Sequence, residues 1–517
     1  MTRILLALLS LTVWLLSPAT AAEKPNIIFI LADDQGFGDV TALNPEGKIP
    51  TPNIDRIAHE GMIFTDGHTS SAVCTPTRYS VLTGRYHWRT RLQKGVLGGY
   101  SPPLITPDRL TVAGLLKENG YYTACVGKWH LGFDWQLKGG GIANDEGDFS
   151  GGFKDGWNVD YTAPIKNGPV DVGFDTFFGI SASLDMPPYV YIQDRIATEE
   201  ATVEKAFHRP GPAGESFEAV DVLPKITEKT VSIIDERAAA SKEGDPFFIY
   251  FPLNAPHTPI VPTDEWKGKS GINIYADFTM QVDWTVGQVL EALDRNGIAD
   301  NTLIFFTTDN GCSPQAKFDE LQAAGHEPSY IYRGHKADIY EGGHRVPFVA
   351  RWPGKVKAGS KTDQLVGQID LLATAAEIVG AKVPEDMGED SVSFLPILLG
   401  KDEAPIRNSI ISQSINGSFA IRDGDWKLCV CPGSGGWSDP RPGRSDMTGL
   451  PPVQLYDLSK NPEETNNLAE GHPDRVTKMK AQLQELIDRG RSTPGPILEN
   501  DVPIQMVKEI PKPKAKK

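Results

Sequence analysis

Ionisable and amide side chains follow four short apolar runs of the sequence, at the point where each run ends. The runs cover 26–32, 121–127, 246–253 and 302–308, and the side chains after them are Asp33, Asp34, Lys128, His130, His257, Asp309 and Asn310. Continuous apolar runs of this length are typical of strands buried on both faces of a parallel sheet. Because the carboxyl ends of parallel strands line one crevice, we expect these side chains to converge.

Two pairs in this set offer only hard oxygen ligands to a metal ion. They are Asp33 with Asp34, and Asp309 with Asn310. Oxygen ligands suit Ca²⁺ or Mg²⁺ rather than a soft transition metal. Either pair alone is equally explained as the start of a turn or the cap of a helix. Because both pairs end apolar runs, together they favour a metal site.

Lysine and histidine side chains would add positive charge and acid/base groups around that metal. Lys128, His130 and His257 have the positional support of a strand end, whereas Lys336 has none. A lone histidine in a loop is more often structural, and a lone lysine is more often solvated. His335 and His344, which lie near Lys336, are open to the same structural explanation.

Cys74 precedes a predicted helix in the segment V-C-T-P-T-R-Y, residues 73–79. Proline suits the first helical position, so Pro76 predicts an N-cap at Thr75 and places Cys74 at the helix entrance. Arg78 lies four residues after the cysteine and would share its face. Cys74 is therefore either a thiolate activated by the helix and Arg78, or a buried thiol.

The elements that must position these residues alternate between strand and helix. Helical periodicity covers 53–61, 111–119, 276–296 and 368–380. The alternation of these segments with the apolar runs predicts a large α/β domain with a mostly parallel sheet sandwiched by helices. After residue 400, two strands around the Asp423-Gly424 turn, a strand at 454–458 and a helix at 474–489 predict a small antiparallel sheet with a helix. The predicted units are a signal peptide at 1–22, a catalytic domain at 23–400, a small subdomain at 401–495 and a tail at 496–517.

Composition and the N-terminal residues bear on location and partners. Arg3, the apolar run 4–16 and Ala19-Thr20-Ala21 predict a signal peptide cleaved near Ala21 or Ala22, hence a secreted or periplasmic protein. No later segment is apolar for the ~18 residues that a membrane span needs. The net charge of -16 argues against nucleic acid and anionic membranes as partners. Five cysteines are an odd number without the spacing of a disulfide framework.

The segment around Cys74 resembles the signature of a known enzyme family. C-T-P-T-R followed by Y-S-V-L-T-G-R is similar to the C-x-P-x-R…T-G-R signature of formylglycine-dependent sulfatases, which belong to the alkaline phosphatase-like superfamily. Further segments resemble that family in its order, over about residues 24–490. They are L-A-D-D-Q-G-F-G-D, G-K-W-H-L-G, A-P-H-T-P, T-D-N-G, Y-E-G-G-H-R-V-P, R-D-G-D-W-K-L and L-Y-D-L-S-K-N-P-E-E-T-N-N-L.

The resemblance implies a role for each matching residue. Cys74 would be oxidised to formylglycine by a maturation enzyme, and one Ca²⁺, or less readily Mg²⁺, would bind the modified residue with Asp33, Asp34, Asp309 and Asn310. Arg78 would hold the hydrated aldehyde, and Lys128 and Lys336 would bind sulfate oxygens. His130 and His257 would transfer protons. We expect Lys128, His257 and Lys336 to contact the substrate. We expect the same of His335 and of Asp185, which lies in the variable segment 181–209 together with His208.

The resemblance also implies a mechanism. A hydroxyl of the hydrated aldehyde attacks sulfur, His257 with Lys336 protonates the leaving oxygen, and His130 removes the remaining hydroxyl proton so that sulfate is expelled. We therefore expect an exported sulfatase acting on O-sulfate groups of a glycan, with aryl sulfates as the other substrate class. The alternative is a phosphomonoester or phosphonate hydrolase of the same superfamily. A non-catalytic binding or transfer protein is a third class, against which the intact motif argues.

Overall fold

The computed structural model describes residues 24–145, 155–401 and 404–509. The predicted signal peptide and residues 510–517 of the predicted tail lie outside these ranges. The strands are β1 Asn26–Ala32, β2 Met62–Phe64, β3 Gly67–His68, β4 Tyr122–Lys128, β5 Thr176–Ile180, β6 Ile192–Gln193, β7 Ile196–Ala197, β8 Ala201–Ala206, β9 Pro210–Gly214, β10 Phe247–Pro252, β11 Thr302–Thr308, β12 Phe348–Arg351, β13 Ser360–Thr362, β14 Val366–Gly367, β15 Ser409–Gln413, β16 Phe419–Asp423, β17 Trp426–Cys429 and β18 Gln454–Asp457.

Ten α-helices occur in the described residues, together with short 3₁₀ turns. They are α1 Pro52–His59, α2 Cys74–Thr83, α3 Val112–Glu118, α4 Val222–Lys242, α5 Ile274–Arg295, α6 Phe318–Ala323, α7 Glu341–His344, α8 Leu371–Val379, α9 Leu395–Leu398 and α10 Pro473–Asp488. The four predicted helices of the large domain correspond to α1, α3, α5 and α8. None of the ten helices is both long and apolar enough to cross a membrane.

A ten-stranded sheet forms the centre of the large domain, in the order β13-β2-β12-β11-β1-β10-β4-β5-β6-β7. The five strands from β11 to β5 are mutually parallel, whereas β12 runs antiparallel to β11. The four apolar runs of the sequence are β1, β4, β10 and β11, which are neighbours in this parallel block. The predicted α/β fold with a mostly parallel sheet is therefore confirmed.

Both faces of the sheet are covered, which explains why its strands are apolar without alternation. In β1, Phe29 and Leu31 belong to one core cluster, and Ile28 and Ile30 belong to the other. Helices α3 and α8 pack in the first cluster, and α1, α4 and α5 pack in the second. Burial of this apolar surface fixes the strand register, and with it the position of the polar residues that follow each strand.

The C-terminal part contains a four-stranded antiparallel sheet in the order β15-β16-β17-β18, with α10 packed against it. Met479, Leu483 and Ile487 of α10 share a core with Phe419 and Leu428. The predicted small sheet and helix are confirmed, whereas β15 was not predicted. The β8–β9 hairpin and α4 were also not predicted. The domain boundaries at residues 400 and 495 stay predictions.

Candidate active site

The residues that follow β1 and β11 form a buried acidic centre. Parallel pairing aligns Ala32 with Thr308, so that Asp33 and Asp34 lie beside Asp309 and Asn310. The Asp34 amide donates to Asp309 Oδ1 at 3.3 Å, and Asn310 Nδ2 donates to Asp34 Oδ1 at 2.7 Å. All four side chains are buried. The predicted convergence of the two oxygen-ligand pairs is therefore observed.

Each of the three carboxylates is paired with a buried cation. Lys128 Nζ lies 2.6 Å from Asp33 Oδ2, and Lys336 Nζ lies 2.6 Å from Asp34 Oδ1. The Arg78 guanidinium donates to Asp309 Oδ2 from Nε at 3.0 Å and from Nη2 at 2.7 Å. The formal charge of these six groups is zero, as burial requires.

The three acids do not respond alike to this environment. Burial alone would raise the pKa of Asp33, but Lys128, His257 and Arg78 lower that pKa well below its usual range. Burial and the adjacent Asp33 carboxylate raise the pKa of Asp309, despite the attraction of Arg78. As the pH falls, Asp309 is therefore protonated before Asp33.

The donor set fits a hard divalent cation. Within the described residues, Asp33 Oδ1 and Asn310 Oδ1 are buried and have no hydrogen-bond partner. One ligand atom from each of Asp33, Asp34, Cys74 and His257 lies within 4.8 Å of the others. Unpaired buried oxygens are costly, and a hard cation would satisfy them.

Cys74 is the first residue of α2, with only 3% of its surface exposed. The predicted N-cap at Thr75 is wrong, because the helix begins two residues earlier than predicted, at Cys74, and Val73 is the capping residue. Thr75 Oγ1 instead accepts a hydrogen bond from the Leu97 amide at 3.2 Å. Burial raises the pKa of the Cys74 thiol to about 12, although Lys128 and Lys336 oppose the shift. The unmodified residue is therefore a buried thiol rather than an activated thiolate.

His130 is held as a neutral imidazole with one open nitrogen. Its Nε2 donates to the Leu97 carbonyl at 2.7 Å, and Nδ1 has no partner among the described residues. Burial lowers its pKa well below 6.5, and the nearby Lys128 and Arg78 lower it further. This tautomer leaves the Nδ1 lone pair free, which is the state that a proton acceptor needs.

His257 borders the acidic centre in a different hydrogen-bond environment. Its Nδ1 donates to the Thr258 carbonyl at 2.6 Å, and its Nε2 lies 3.6 Å from Asp34 Oδ2. Both nitrogens thus face oxygen atoms, one from the backbone and one from the acidic centre. A histidine in this position is suited to exchange a proton with a group bound at the centre.

Ser183 was missed by the sequence analysis, although it joins two of the predicted site residues. Its Oγ lies 3.2 Å from His257 Nδ1 and 3.3 Å from Lys128 Nζ. The residue follows β5, the neighbour of β4, by only three positions. The strand-end rule that found Lys128 would have found Ser183 if the short β5 strand had been recognised.

The remaining predicted residues lie in different settings. Lys336 joins the centre through its ion pair with Asp34, whereas His335 bonds within its own loop, 2.9 Å from the Lys336 carbonyl and 3.4 Å from Asp338 Oδ2. Asp185 is buried, pairs with Arg209, and its Oδ1 has no partner in the described part of the chain. His208 is exposed at the tip of the β8–β9 hairpin.

Two family models together match residues 25–429. The model described as Sulfatase matches residues 25–381, and the one described as N-sulphoglucosamine sulphohydrolase, C-terminal, matches residues 334–429. The chain belongs to the sulfatase family. It is a sulfuric ester hydrolase of the alkaline phosphatase-like superfamily, and this membership favours sulfate esters over the phosphomonoester and phosphonate alternatives.

Individual relatives of this sulfatase cover nearly its full length. An N-acetylgalactosamine-6-O-sulfatase of Bacteroides thetaiotaomicron is 34% identical over 90% of this chain and 94% of its own. Arylsulfatase A of Homo sapiens is 31% identical over 92% of this chain and 90% of its own. A solved structure from work on the metabolism of multiple glycosaminoglycans by Bacteroides thetaiotaomicron has a TM-score of 0.75, with 34% identity over 90% of this chain and 99% of its own.

We predict that Arg78 contributes more to stability than an arginine in a surface ion pair. Arg78→Met leaves the buried Asp309 carboxylate without its cation and should cost about 3–5 kcal/mol in the free energy of unfolding. The control Arg56→Met removes a partly exposed pair with Asp294 and should cost about 0–1 kcal/mol. Urea unfolding of the metal-free proteins measures both, and equal losses would contradict the prediction.

Proposed function

We propose that this sulfatase is exported and removes O-sulfate groups from a sulfated glycan, using formylglycine made from Cys74 and one bound Ca²⁺. The residues proposed to hold the ion are Asp33, Asp34, Asp309, Asn310 and the modified Cys74. The observation that carries the proposal is the charge balance of the buried centre, where three carboxylates face three cations. A divalent cation added to this neutral set gives a net charge of about +2.

A centre with that charge is complementary to a sulfate ester. The ester is an anion, and further negative charge develops on its leaving oxygen during hydrolysis. Lys128 and Lys336, paired with Asp33 and Asp34, would turn their ammonium groups toward sulfate oxygens once the cation neutralises those carboxylates. Arg78 is tied to Asp309 by two nitrogens, so we expect it to remain in place beside the modified Cys74.

Cys74 is proposed as the modified residue because an unmodified thiol at this position is a poor nucleophile. Its pKa of about 12 leaves almost no thiolate at neutral pH. Hydrated formylglycine supplies a hydroxyl nucleophile, and the cation supplies Lewis acidity at the same position. Ca²⁺ is favoured over Mg²⁺ because Mg²⁺ requires near-ideal octahedral geometry and usually keeps several waters.

The two histidines are proposed to move protons in opposite directions. His257, with both nitrogens facing oxygen acceptors, is the proposed acid for the leaving alcohol, with Lys336 as its neighbour across Asp34. His130 is the proposed base, because its open Nδ1 is buried and its ring is neutral. Ser183 would orient His257 and Lys128, since its hydroxyl contacts both.

The proposed substrate class rests on the relatives and on Asp185. One relative is named for the 6-O-sulfate of N-acetylgalactosamine, and a similar structure comes from work on glycosaminoglycan metabolism. Asp185 Oδ1, which lacks a hydrogen-bond partner among the residues that the structure describes, would accept a hydrogen bond from a sugar hydroxyl. His335 as a substrate contact stays a prediction, because its observed bonds lie within its own loop. Export rests on the N-terminal sequence.

We predict hydrolysis of sulfate esters at a much higher kcat/KM than matched phosphate esters. Aryl sulfate, aryl phosphate and oligosaccharides carrying N-acetylgalactosamine 6-sulfate would be compared with enzyme matured in a host that contains the converting enzyme. The sulfated sugar should be the best substrate, since an aryl group offers no hydroxyl to Asp185. Faster turnover of the phosphate or a phosphonate would refute the proposed function.

We predict an aldehyde at Cys74 in active protein. Peptide mass spectrometry should find it after expression with a converting enzyme, and should find the free thiol in inactive protein made without one. Cys74→Ala should fold and be inactive, and Cys74→Ser should be inactive unless a serine-type converting system is present. Full activity in protein that carries only the thiol would exclude formylglycine as the nucleophile.

We predict one Ca²⁺ per chain, bound by hard oxygen ligands. Elemental analysis should find it, a chelator should abolish activity, and Ca²⁺ should restore it. Asp34→Asn should abolish Ca²⁺ binding and activity, and it should also lower thermal stability because the buried Lys336 ammonium loses its carboxylate partner. The control Asp283→Asn, which changes a buried carboxylate bonded to the Asn53 and Ile54 amides, should spare Ca²⁺ binding. Stoichiometric zinc without calcium or magnesium would show that the ion is misassigned.

We predict that the two histidine variants respond differently to the leaving group. General acid catalysis contributes about 10²–10⁴ in rate, and a nitrophenolate leaves with little help. His257→Ala should therefore damage hydrolysis of a sugar sulfate much more than that of nitrophenyl sulfate, whereas His130→Ala should damage both similarly. The measurement applies where chemistry limits the rate. Equal losses for His257→Ala, with accumulation of sulfated enzyme, would reverse the two assignments.

A further inference from the structure

Asp34 has an unusual backbone conformation for a proposed metal ligand. Its φ of 68° lies in the left-handed region, which costs a non-glycine residue about 1–3 kcal/mol and persists only where the surrounding structure enforces it. The Tyr275 hydroxyl lies 3.2 Å from the Asp34 carbonyl oxygen, and it shares its one proton between that oxygen and the Asp39 carboxylate. Tyr275 lies in the first turn of α5, outside every motif assigned to the chemistry.

Asp39 lies at the centre of the contacts that hold this turn. Its Oδ2 accepts hydrogen bonds from the Tyr275 hydroxyl at 2.5 Å and from the Gly36 amide at 2.6 Å. Its Oδ1 accepts from His326 Nε2 at 2.7 Å. The carboxylate is fully buried and has three donors, so it is fixed in both position and orientation.

His326 is fixed in turn from its other side. Its Nδ1 accepts a hydrogen bond from the Lys48 amide at 3.0 Å, which places the ring proton on Nε2, facing Asp39. Glu327 and Pro328, which follow His326, pack directly against the turn formed by Gly36 and Gly38 after Asp34. A Cβ at Gly36 would lie 2.1 Å from the Pro328 carbonyl oxygen, and one at Gly38 would lie 1.9 Å from that of Glu327.

We infer that Asp39, His326 and Tyr275 are positioning residues that preorganise Asp34 for the divalent cation. The inference rests on the proposed function, because it assumes that Asp34 binds the ion. The physical reason is that a cation gains most from a carboxylate whose backbone is already in the binding conformation. Loss of such supporting contacts typically weakens metal binding about 10–100-fold.

The first test removes one hydroxyl group. Tyr275→Phe should weaken Ca²⁺ binding to the metal-stripped full chain by about ten-fold, measured by isothermal titration calorimetry. The matched control is Tyr121→Phe, since Tyr121 is also buried and its hydroxyl donates to the Pro25 carbonyl at 2.9 Å. The control should lose some thermal stability but keep the wild-type dissociation constant. Equal Ca²⁺ affinities for Tyr275→Phe and wild type would refute the inference.

The second test changes the carboxylate and the imidazole without removing bulk. Asp39→Asn and His326→Gln should each weaken Ca²⁺ binding, whereas the control Asp283→Asn should not. Variants that lose thermal stability but bind Ca²⁺ as tightly as wild type would reduce these residues to a structural role and overturn the inference. Wild-type protein that binds neither Ca²⁺ nor Mg²⁺ would refute the metal site itself together with this inference, so the two failures are distinguishable.

Discussion

Neutralisation of buried charge is the constraint on which this structure depends. Parallel pairing brings Asp33, Asp34 and Asp309 together at the carboxyl ends of β1 and β11, where they are buried from water. An unpaired carboxylate in such a place costs several kcal/mol, so each acid must have a cation. The cations come from three separated segments, on α2, at the end of β4 and in the loop before α7. Buried ion pairs therefore hold residues that are far apart in the sequence at the same site.

The same constraint recurs where the small sheet meets the short helix α7. Lys427 of β17 is buried 3.0 Å from Glu341 Oε1 and 2.8 Å from Glu464 Oε1. Glu341 begins the short helix α7, whose Gly343 carbonyl accepts from the Gly311 amide at 3.0 Å, directly after Asn310. The small sheet thus supports the backbone beside the proposed metal ligands. With His344 and His68, Glu341 forms a group of potential metal ligands, but the Lys427 ammonium already lies 3.0 Å from His344 Nε2.

Local pattern was enough for the four central parallel strands β1, β4, β10 and β11 and for the residues that follow them. Uninterrupted apolar runs identify strands covered on both faces, and parallel pairing then brings their following residues together. Lys336 had no such signal, because its place is set by an ion pair across 302 positions and only the family resemblance pointed to it. The N-cap prediction at Thr75 is wrong because the Thr75 hydroxyl accepts a tertiary hydrogen bond from the Leu97 amide instead of capping its own helix. Ser183 and the Asp185–Arg209 pair lie near short strands that carry too little pattern to be recognised.

The burial of α2 has a consequence for how an active molecule is produced. Every residue from Cys74 to Thr83 is buried, and Cys74 is the first of them. On the proposal that Cys74 is oxidised by another enzyme, that enzyme needs the segment as an accessible chain. Oxidation of Cys74 and folding of the chain are then competing events. A molecule that folds before Cys74 is oxidised becomes a stable but permanently inactive product. The fraction of active protein would therefore depend on relative rates during synthesis, rather than on the stability of the finished fold.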